Sequence, residues 1–407
     1  MFYVGIDIAK SNHEASIINA KGESLSESIT FTNSRIGCEK LIKLMKRLGA
    51  NAQNTIIGME ATGHYWLSVY THFLELGYNL KVINPIQSEA FRKMYIRQTK
   101  NDAVDSNVIA QVIRFGQYSV SSFSDEKHMA LRQLCRYRLY LVDECSDYKR
   151  KVITLLDQVF PEYSSLFSDT FGVSSKEVLQ AYPTPEDMLA VSCETLAELL
   201  KKASRGRFSI DKAKELRQAA QNSFGVKFAK DAFAFQIRQM ISQITFIEGQ
   251  LCELEAEISQ LLHEVNQVIT SIIGIGETHG AIIVSEIGDI SRFSSAPKLV
   301  AFAGLDVKVN QSGQFLGTQN KISKRGSPYL RRAIWTAANR AAFADPVLSE
   351  YYKSLRARGK HHMTAIGAVA RKLTNIIFAV LRDNKPYVPA LPKPSPIATS
   401  SDASESE

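Results

Sequence analysis

Four acidic residues near the start of this chain have positions that suit metal chemistry. Asp7 interrupts the apolar, strand-like run Val4–Ile8, where a charge is costly without a partner or a metal ion. Glu60 closes a second apolar run and would reach a sheet edge from the end of its strand. Asp102 and Asp105 are three residues apart, so on a helix they share one face.

Each carboxylate also has a structural interpretation. Asp102 could cap a helix, and Asp105 could interact with the positive end of the same helix. Taken together, however, clustered carboxylates repel one another unless divalent cations hold them. A set of this kind suits Mg²⁺ acting on phosphodiesters.

A serine in the second half is a candidate nucleophile. Ser312 lies in the polar, turn-prone stretch Gln311–Gln314, and no hydrolase-type motif of the form Gly-x-Ser-x-Gly surrounds it. A serine before a glycine is usually only a turn residue. A basic block follows it, however, and could bind a scissile phosphate or simply face DNA as a solvated surface. The block consists of Lys321, Lys324, Arg325, Arg331 and Arg332.

A second basic stretch includes Arg92, Lys93, Arg97 and Lys100, with Tyr95 among them. Bases interleaved with aromatic rings suit contacts with phosphates and nucleobases. Solvated helix faces explain such runs equally well.

The elements needed to position the carboxylates are an α/β domain over residues 1–120. Three strand patterns form a meander, at Phe2–Ile8, His13–Ile18 and Ser28–Thr32. Helix patterns at Gly37–Leu48 and Tyr65–Leu76 then alternate with strand patterns, at Asn54–Met59 and Asn79–Ile83. This order is typical of an RNase H-like domain, in which the four carboxylates would converge.

The middle region, residues 121–268, is predicted to be helical with a coiled-coil pattern. Apolar residues recur at 3/4 spacing without a break from Ile237 to Val265, and with one break, at Arg138, from Leu131 to Val159. This pattern has two equally open interpretations: two antiparallel helices that pack within one chain, or a dimerisation arm. Between them, residues 161–225 indicate a helical insert.

A mainly helical third region is predicted over residues 269–390. Its Gly274-Ile275-Gly276 resembles a helix-hairpin-helix turn, whose backbone N–H groups can bind a phosphate, although a plain glycine turn is an equal alternative. Residues 391–407 contain prolines, serines and acidic residues, and we expect a disordered tail.

Composition narrows the class of protein. The formal net charge is +8, which favours a polyanionic partner. The five cysteines form no Cys-x-x-Cys pair, which fits a reduced cytoplasm and argues against a structural zinc site. No apolar stretch reaches about 18 residues, so no membrane span is expected.

The chain resembles the DEDD transposases of bacterial insertion sequences, a family that includes pilin-gene DNA invertases. The resemblance covers nearly the whole length. It rests on Tyr3–Lys10, Met59–Tyr65, Val82–Pro85, Lys100–Asp105, Gly274–Gly276, Phe302–Leu305, Gln311–Gly313 and Ser323–Gly326.

The resemblance implies a RuvC-like first domain, a coiled-coil arm and a transposase domain. It gives Asp7, Glu60, Asp102 and Asp105 a Mg²⁺-binding role and Ser312 the nucleophile that links covalently to DNA. It also implies donor and target double-stranded DNA, a structured bridge RNA that pairs with both, and an oligomer, at least a dimer and by the family pattern a tetramer.

Three residues depart from the family pattern, namely Ile273, Ser106 and Val307. The common residues there are Pro, Ala and Pro, so loop geometry is in question rather than catalysis. The leading hypothesis is an insertion-sequence transposase acting as a site-specific recombinase. The alternatives are an invertase of the same family, a metal-dependent junction nuclease in which Ser312 is only a turn residue, and a nucleic-acid-binding protein with a decayed active site.

Overall fold

A computed structural model describes residues 1–60, 63–93, 101–116, 126–266, 268–307, 311–312, 315–316 and 321–389, the two short hairpin segments by their backbone alone. The chain divides into two compact units, residues 1–123 and 124–407. The predicted tail, 391–407, lies outside the described residues.

The first unit is built on one mixed sheet of five strands in the order β3-β2-β1-β4-β5. β1 pairs antiparallel with β2 and parallel with β4, and β5 extends the parallel half. This arrangement is consistent with the predicted RNase H-like domain, and each predicted strand lies within one residue of its observed bounds. The strands are β1 (Phe2–Asp7), β2 (Asn12–Asn19), β3 (Ile29–Thr32), β4 (Thr55–Glu60) and β5 (Asn79–Ile83).

Four helices complete the described part of the first unit, and the sequence interpretation missed one of them. Asn84-Pro85 reads as the end of a strand, yet Pro85 is the first residue of a helix, a position where its missing N–H costs nothing. The helices are α1 (Arg35–Arg47), α2 (Trp66–Glu75), α3 (Pro85–Arg92) and α4 (Asp102–Phe115).

Two long helices dominate the start of the second unit, α5 (Glu126–Val159) and α11 (Lys230–Val265). They pack against each other and run antiparallel. Cross-helix ion pairs fix the direction, because partners that rise along α5 fall along α11: Lys127 with Glu264, Arg138 with Glu255, and Lys149 with Glu248. The apolar positions predicted along α11 are buried or half-buried. The intrachain pairing of the two patterns is therefore observed, and a dimerisation arm stays a prediction.

The insert between the long helices is helical, as predicted. It forms a core of its own with the adjoining parts of α5 and α11, around the fully buried Tyr163. Its helices are α6 (Tyr163–Leu166), α7 (Val173–Ala181), α8 (Pro185–Ala190), α9 (Cys193–Ala203) and α10 (Ile210–Gln221).

The rest of the second unit is mainly helical, with one two-stranded hairpin. Gly274 lies between a three-residue 3-10 helix (Ile269–Ser271) and α12, with φ of +98°. A Cβ there would approach Ala341 of α14 to 2.9 Å, so packing as well as backbone conformation requires glycine. The elements are α12 (Glu277–Ile287), a second 3-10 helix (Ile290–Arg292), α13 (Ala296–Phe302), β6 (Gln311–Ser312), β7 (Phe315–Leu316), α14 (Pro328–Ala344), α15 (Pro346–Ala357) and α16 (His362–Asp383).

Helix α16 is long and apolar enough to cross a membrane by length and composition alone. More than half of its apolar stretch, 56%, is buried inside the unit. Ile366, Leu373 and Ile377 are fully buried in the core there, so α16 packs as a core helix.

Candidate active site

Two of the predicted carboxylates reach the same edge of the sheet. Asp7 is the last residue of β1 and Glu60 is the last residue of β4. The two strands are parallel neighbours with Ile6 opposite Met59, so their carboxyl ends lie side by side. This confirms the prediction that Glu60 ends a strand.

Helix α4 brings the other two carboxylates to that edge. It crosses β1 at backbone contact, because a Cβ on Gly5 would overlap the backbone oxygen of Ser106 and the backbone nitrogen of Ala110. The helix begins at Asp102, and both Asp102 and Asp105 lie in its first turn. The capping residue is Asn101, whose Oδ1 accepts a hydrogen bond from the Val104 N–H at 2.8 Å, rather than Asp102 as the structural alternative proposed.

These four residues, which we call the carboxylate site, are coupled electrostatically. Burial raises the pKa of Asp7 to about 6, and the negative charges of Asp105, Glu60 and Asp102 add to the increase, in that order. Arg92 acts in the opposite direction on the same pKa. The coupling places all three partners within electrostatic range of Asp7.

Arg92 of α3 supplies the counter-charge at the carboxylate site. Its Nη2 lies 2.8 Å from Asp105 Oδ1, and its Nη1 lies 3.2 Å from Glu89 Oε2. The side chains of Arg92 and Asp105 are only 15% and 13% exposed. The contact with Asp105 is close but poorly aligned, since Asp105 Oδ1 and Arg92 Nε are both buried without a hydrogen-bond partner.

The donor set matches a hard divalent cation in its chemistry. Carboxylate oxygens are the ligands that Mg²⁺ prefers, and Asp105 Oδ1, buried beside Arg92 without an aligned hydrogen bond, is suited to a cation. Within the described residues, however, no group of three or more His, Cys, Asp or Glu side chains is close enough to hold a metal ion. The side chains would have to move together around the cation.

Ser106, which replaces the alanine common in the family pattern, has a structural role here. Its hydroxyl lies 2.7 Å from that of Ser16 on β2, and both serines are buried. It also donates to the Ala103 carbonyl at 3.0 Å. The hydroxyl pair adds a polar contact between α4 and the sheet beside Asp105.

In the second unit, Ser312 lies on a small hairpin. Ser312 pairs with Phe315 across the two strands. At the base of the hairpin Val307 bridges Ile322, and the Ser323 N–H donates to the Asp306 carbonyl at 2.8 Å. The Ser323 hydroxyl also bonds the Asp306 carboxylate. The backbone thus presents Ser312 from an anchored base, while its side chain lies outside the described residues.

The basic block after Ser312 is partly engaged by the protein itself. Arg332 forms a bidentate pair with Asp143 of α5, at 2.8 and 2.7 Å, and this pairing raises the pKa of Arg332. Arg331 donates to the Ala303 carbonyl at 3.3 Å. Lys321, Lys324 and Arg325 are exposed, and Arg97 and Lys100 lie outside the described residues.

A buried carboxylate that the sequence interpretation missed holds the start of α14. Glu286 is 4% exposed, and it accepts two hydrogen bonds from Arg136, at 2.7 and 3.1 Å. Ser327, the residue that caps α14, donates to the same carboxylate at 2.8 Å. The sequence feature that could have indicated this buried pair is a single acidic residue within the apolar face of α12. Arg136 and Ser327 are therefore joined through one buried carboxylate.

Comparison with known proteins identifies the family. A family model for DEDD transposases of the IS110 type, described as "Transposase", matches residues 4–161. A second, described as "Transposase IS116/IS110/IS902 family", matches residues 266–353. The chain belongs to the IS110/IS116 transposase family. This confirms the resemblance stated above.

Relatives across the whole chain agree with this assignment. A 43.6 kDa protein of insertion element IS110 from Streptomyces coelicolor is 24% identical over 96% of both chains. The pilin gene-inverting protein of Moraxella bovis is 25% identical over 95% of this chain and 97% of its own length. A mini-circle putative transposase for IS117 from Streptomyces coelicolor is 24% identical over 89% of both.

Membership of the IS110/IS116 family makes the chain a DNA transposase or recombinase. Such enzymes act on DNA and usually oligomerise, and DEDD transposases are generally metal-dependent. The carboxylate site lies within the first matched segment, and the Ser312 hairpin lies within the second.

Proposed function

We propose that the protein is an insertion-sequence transposase that cuts and rejoins DNA through a covalent phosphoserine link at Ser312. The observation that carries this proposal is the placement of Asp7 and Glu60 at neighbouring strand ends, beside the first turn of α4, which contains Asp102 and Asp105. Four converging carboxylates with a raised pKa among them are costly to maintain for stability alone, and they suit phosphodiester chemistry.

In this proposal Asp7, Glu60, Asp102 and Asp105 hold Mg²⁺, as the RuvC-like resemblance implies. When bound, Mg²⁺ would supply charge stabilisation for the phosphodiester and its leaving oxygen. Asp7 and Glu60 contribute from fixed strand ends, and Asp102 and Asp105 from the first turn of α4. The contact of Gly5 with α4 fixes the spacing of the two pairs.

Ser312 attacks the scissile phosphorus. The Oγ–P bond forms as the P–O bond to one DNA end breaks, the serine hydroxyl loses its proton, and the departing DNA oxygen gains one. One phosphodiester replaces another, so the bond energy is retained in the phosphoserine link. Rejoining is then the same step in reverse with a new DNA end.

Basic residues near the hairpin would contact the DNA backbone. Lys321, Lys324 and Arg325 follow the hairpin directly, and their side chains are exposed to solvent. Arg331 and Arg332 act from the first turns of α14, where they also hold the protein together. Arg97 and Lys100 extend the proposed contact surface by sequence alone.

Sequence choice in this proposal lies with a bridge RNA that pairs with donor and target DNA, and the working unit is a dimer or tetramer. Support for both comes from the family resemblance. The positively charged chain is compatible with two nucleic-acid partners.

A strand-joining assay tests the proposed function. Full-length protein, its co-expressed noncoding RNA, Mg²⁺ and donor and target plasmids are incubated, and product junctions are sequenced. The proposal predicts joined donor–target molecules that require the RNA. Reversal of a segment would indicate the invertase alternative, and cut plasmids with free ends and no junctions would indicate a junction nuclease.

A further inference from the structure

The carboxylate site contains a positively charged side chain, that of Arg92. Arg92 Nη2 lies 2.8 Å from Asp105 Oδ1, with both side chains largely buried. A guanidinium stays charged over the whole working pH range, so Arg92 compensates the charge of Asp105 at any such pH as long as the two side chains are in contact.

The contact has the features of a replaceable one. Asp105 Oδ1 has no hydrogen bond despite its proximity to Arg92, and Arg92 Nε is buried with no partner. The Asp105 oxygen is thus held at short range by charge without an aligned hydrogen bond, so a ligand that also satisfies its lone pairs would be favoured.

Arg92 also has space into which it can move. It lines a cavity of about 470 Å³ within the first unit, together with Ser24, Ser26, Glu27 and Asn107. Glu27 offers a carboxylate there, and the serine hydroxyls and the amide offer further acceptors. A guanidinium that leaves Asp105 would therefore find polar partners without returning to bulk water.

We propose that Arg92 is a resident counter-ion that competes with a divalent cation for Asp105, and so sets the cation concentration at which the carboxylate site fills. This inference rests on the proposed function, since it takes Asp105 as a ligand. Arg92 is in this account a positioning residue, because it acts through Asp105.

Calorimetric titration of the full-length protein with MgCl₂, in the absence of nucleic acid, tests the inference. Arg92→Met removes the competing charge and should tighten Mg²⁺ binding about tenfold, the order expected for one partly buried charge. Arg92→Lys keeps a positive charge but loses the planar fork of the guanidinium. The Mg²⁺ affinity of this variant should therefore lie between those of wild type and Arg92→Met. The metal-induced rise in melting temperature should follow the same order.

Lys93→Met is the matched control, because it removes the same charge from the neighbouring, 66% exposed side chain, which pairs with Glu89 rather than Asp105. Its Mg²⁺ affinity should stay within about twofold of wild type, as expected for a screened surface charge. Equal tightening by Lys93→Met and Arg92→Met would overturn the inference, since net charge alone would explain it.

Two further outcomes separate the inference from the proposed function. In the first, Asp105→Asn abolishes Mg²⁺ binding, while Arg92→Met and Arg92→Lys leave it unchanged or weaken it. This result would overturn the proposed role of Arg92 and leave the proposed metal site standing. Absence of Mg²⁺ binding in wild type and all variants overturns both the inference and the metal part of the proposed function.

Discussion

The two units treat charge in opposite ways. In the first unit, four carboxylates converge on one sheet edge with Arg92 as the counter-charge described for them, and the pKa of Asp7 rises as a result. In the second unit, two arginines are each paired with an acid: Arg332 with Asp143, and Arg136 with Glu286. Like charges gathered around a raised pKa point to chemistry, whereas oppositely charged side chains in matched pairs point to architecture.

The comparison also separates how each site is supported. The carboxylate site stands on strand ends and one helix turn, fixed by backbone contact at Gly5. Ser312 stands on a hairpin whose strands contain two residues each, anchored at its base by Asp306 and Ser323. A metal site requires several ligand side chains held at fixed positions. A nucleophile is a single side chain, which must be able to approach its substrate.

The largest effect is expected from Gly5→Ala. The new methyl group would overlap the backbone of α4, so the helix must move away from β1, at a cost of about 3 kcal/mol. Asp102 and Asp105 would move with it, and Mg²⁺ binding should be lost. Thermal unfolding and calorimetry measure the two effects.

Gly249→Ala on α11 is the control for Gly5→Ala, because nothing lies within 4 Å of a Cβ there. It should stabilise the protein by about 0.5–1 kcal/mol through higher helix propensity. If Gly5→Ala left stability and Mg²⁺ binding unchanged, α4 would not be fixed by backbone contact.

A smaller effect, about 2 kcal/mol, is expected from Glu286→Ala in the second unit. Removing a buried acid leaves Arg136 and Ser327 without their partner, and the cost is reduced because Arg136 is 43% exposed. The melting temperature should fall while Mg²⁺ affinity is unchanged. A change in Mg²⁺ affinity would contradict the division between architectural and chemical charge.

The smallest effect concerns pH and Asp7. The folded protein binds a proton at Asp7 more tightly than the unfolded chain does, because its pKa is raised from 3.8 to about 6. Ionised Asp7 therefore lowers stability as the pH rises from about 4 to about 6. The full shift corresponds to about 3 kcal/mol, and after a discount for solvent screening we expect a loss on the order of 1 kcal/mol.

Asp7→Asn should consequently raise the melting temperature of the metal-free protein at pH 7 and have little effect at pH 4. The measurement is a comparison of melting temperatures with a chelator at both pH values. An equal shift at the two pH values would mean that packing, rather than charge, determines the result.

Much of the first unit was predictable because its signals are local. Apolar runs gave all five strands, and the spacing of Asp102 and Asp105 gave their shared helix face. Helix α3 was missed because Pro85 follows a turn-like asparagine, although proline is common at the first position of a helix. The pairing of Arg92 with Asp105 joins distant residues of two helices, and neither carries a local signal for it.

The second unit shows the same limit. The 3/4 spacing predicted two long helices, but only the ion pairs between them fix their antiparallel arrangement. Glu286 lies on a predicted apolar face, and its partners Arg136 and Ser327 are far away in sequence. Patterns determine which face of a helix is buried, whereas the partner of a buried charge depends on the tertiary structure.

The most direct test of the central claim is a covalent-adduct assay. Protein, noncoding RNA, Mg²⁺ and labelled donor and target DNA are run on a denaturing gel, for wild type, Ser312→Ala, Asp105→Asn and Ser354→Ala. Ser354 is an exposed serine on α15 whose hydroxyl bonds within its own helix, so its variant is the matched control. We predict a protein–DNA adduct with wild type and Ser354→Ala, and none with Ser312→Ala or Asp105→Asn. Cleavage to free ends that survives Ser312→Ala would contradict the account.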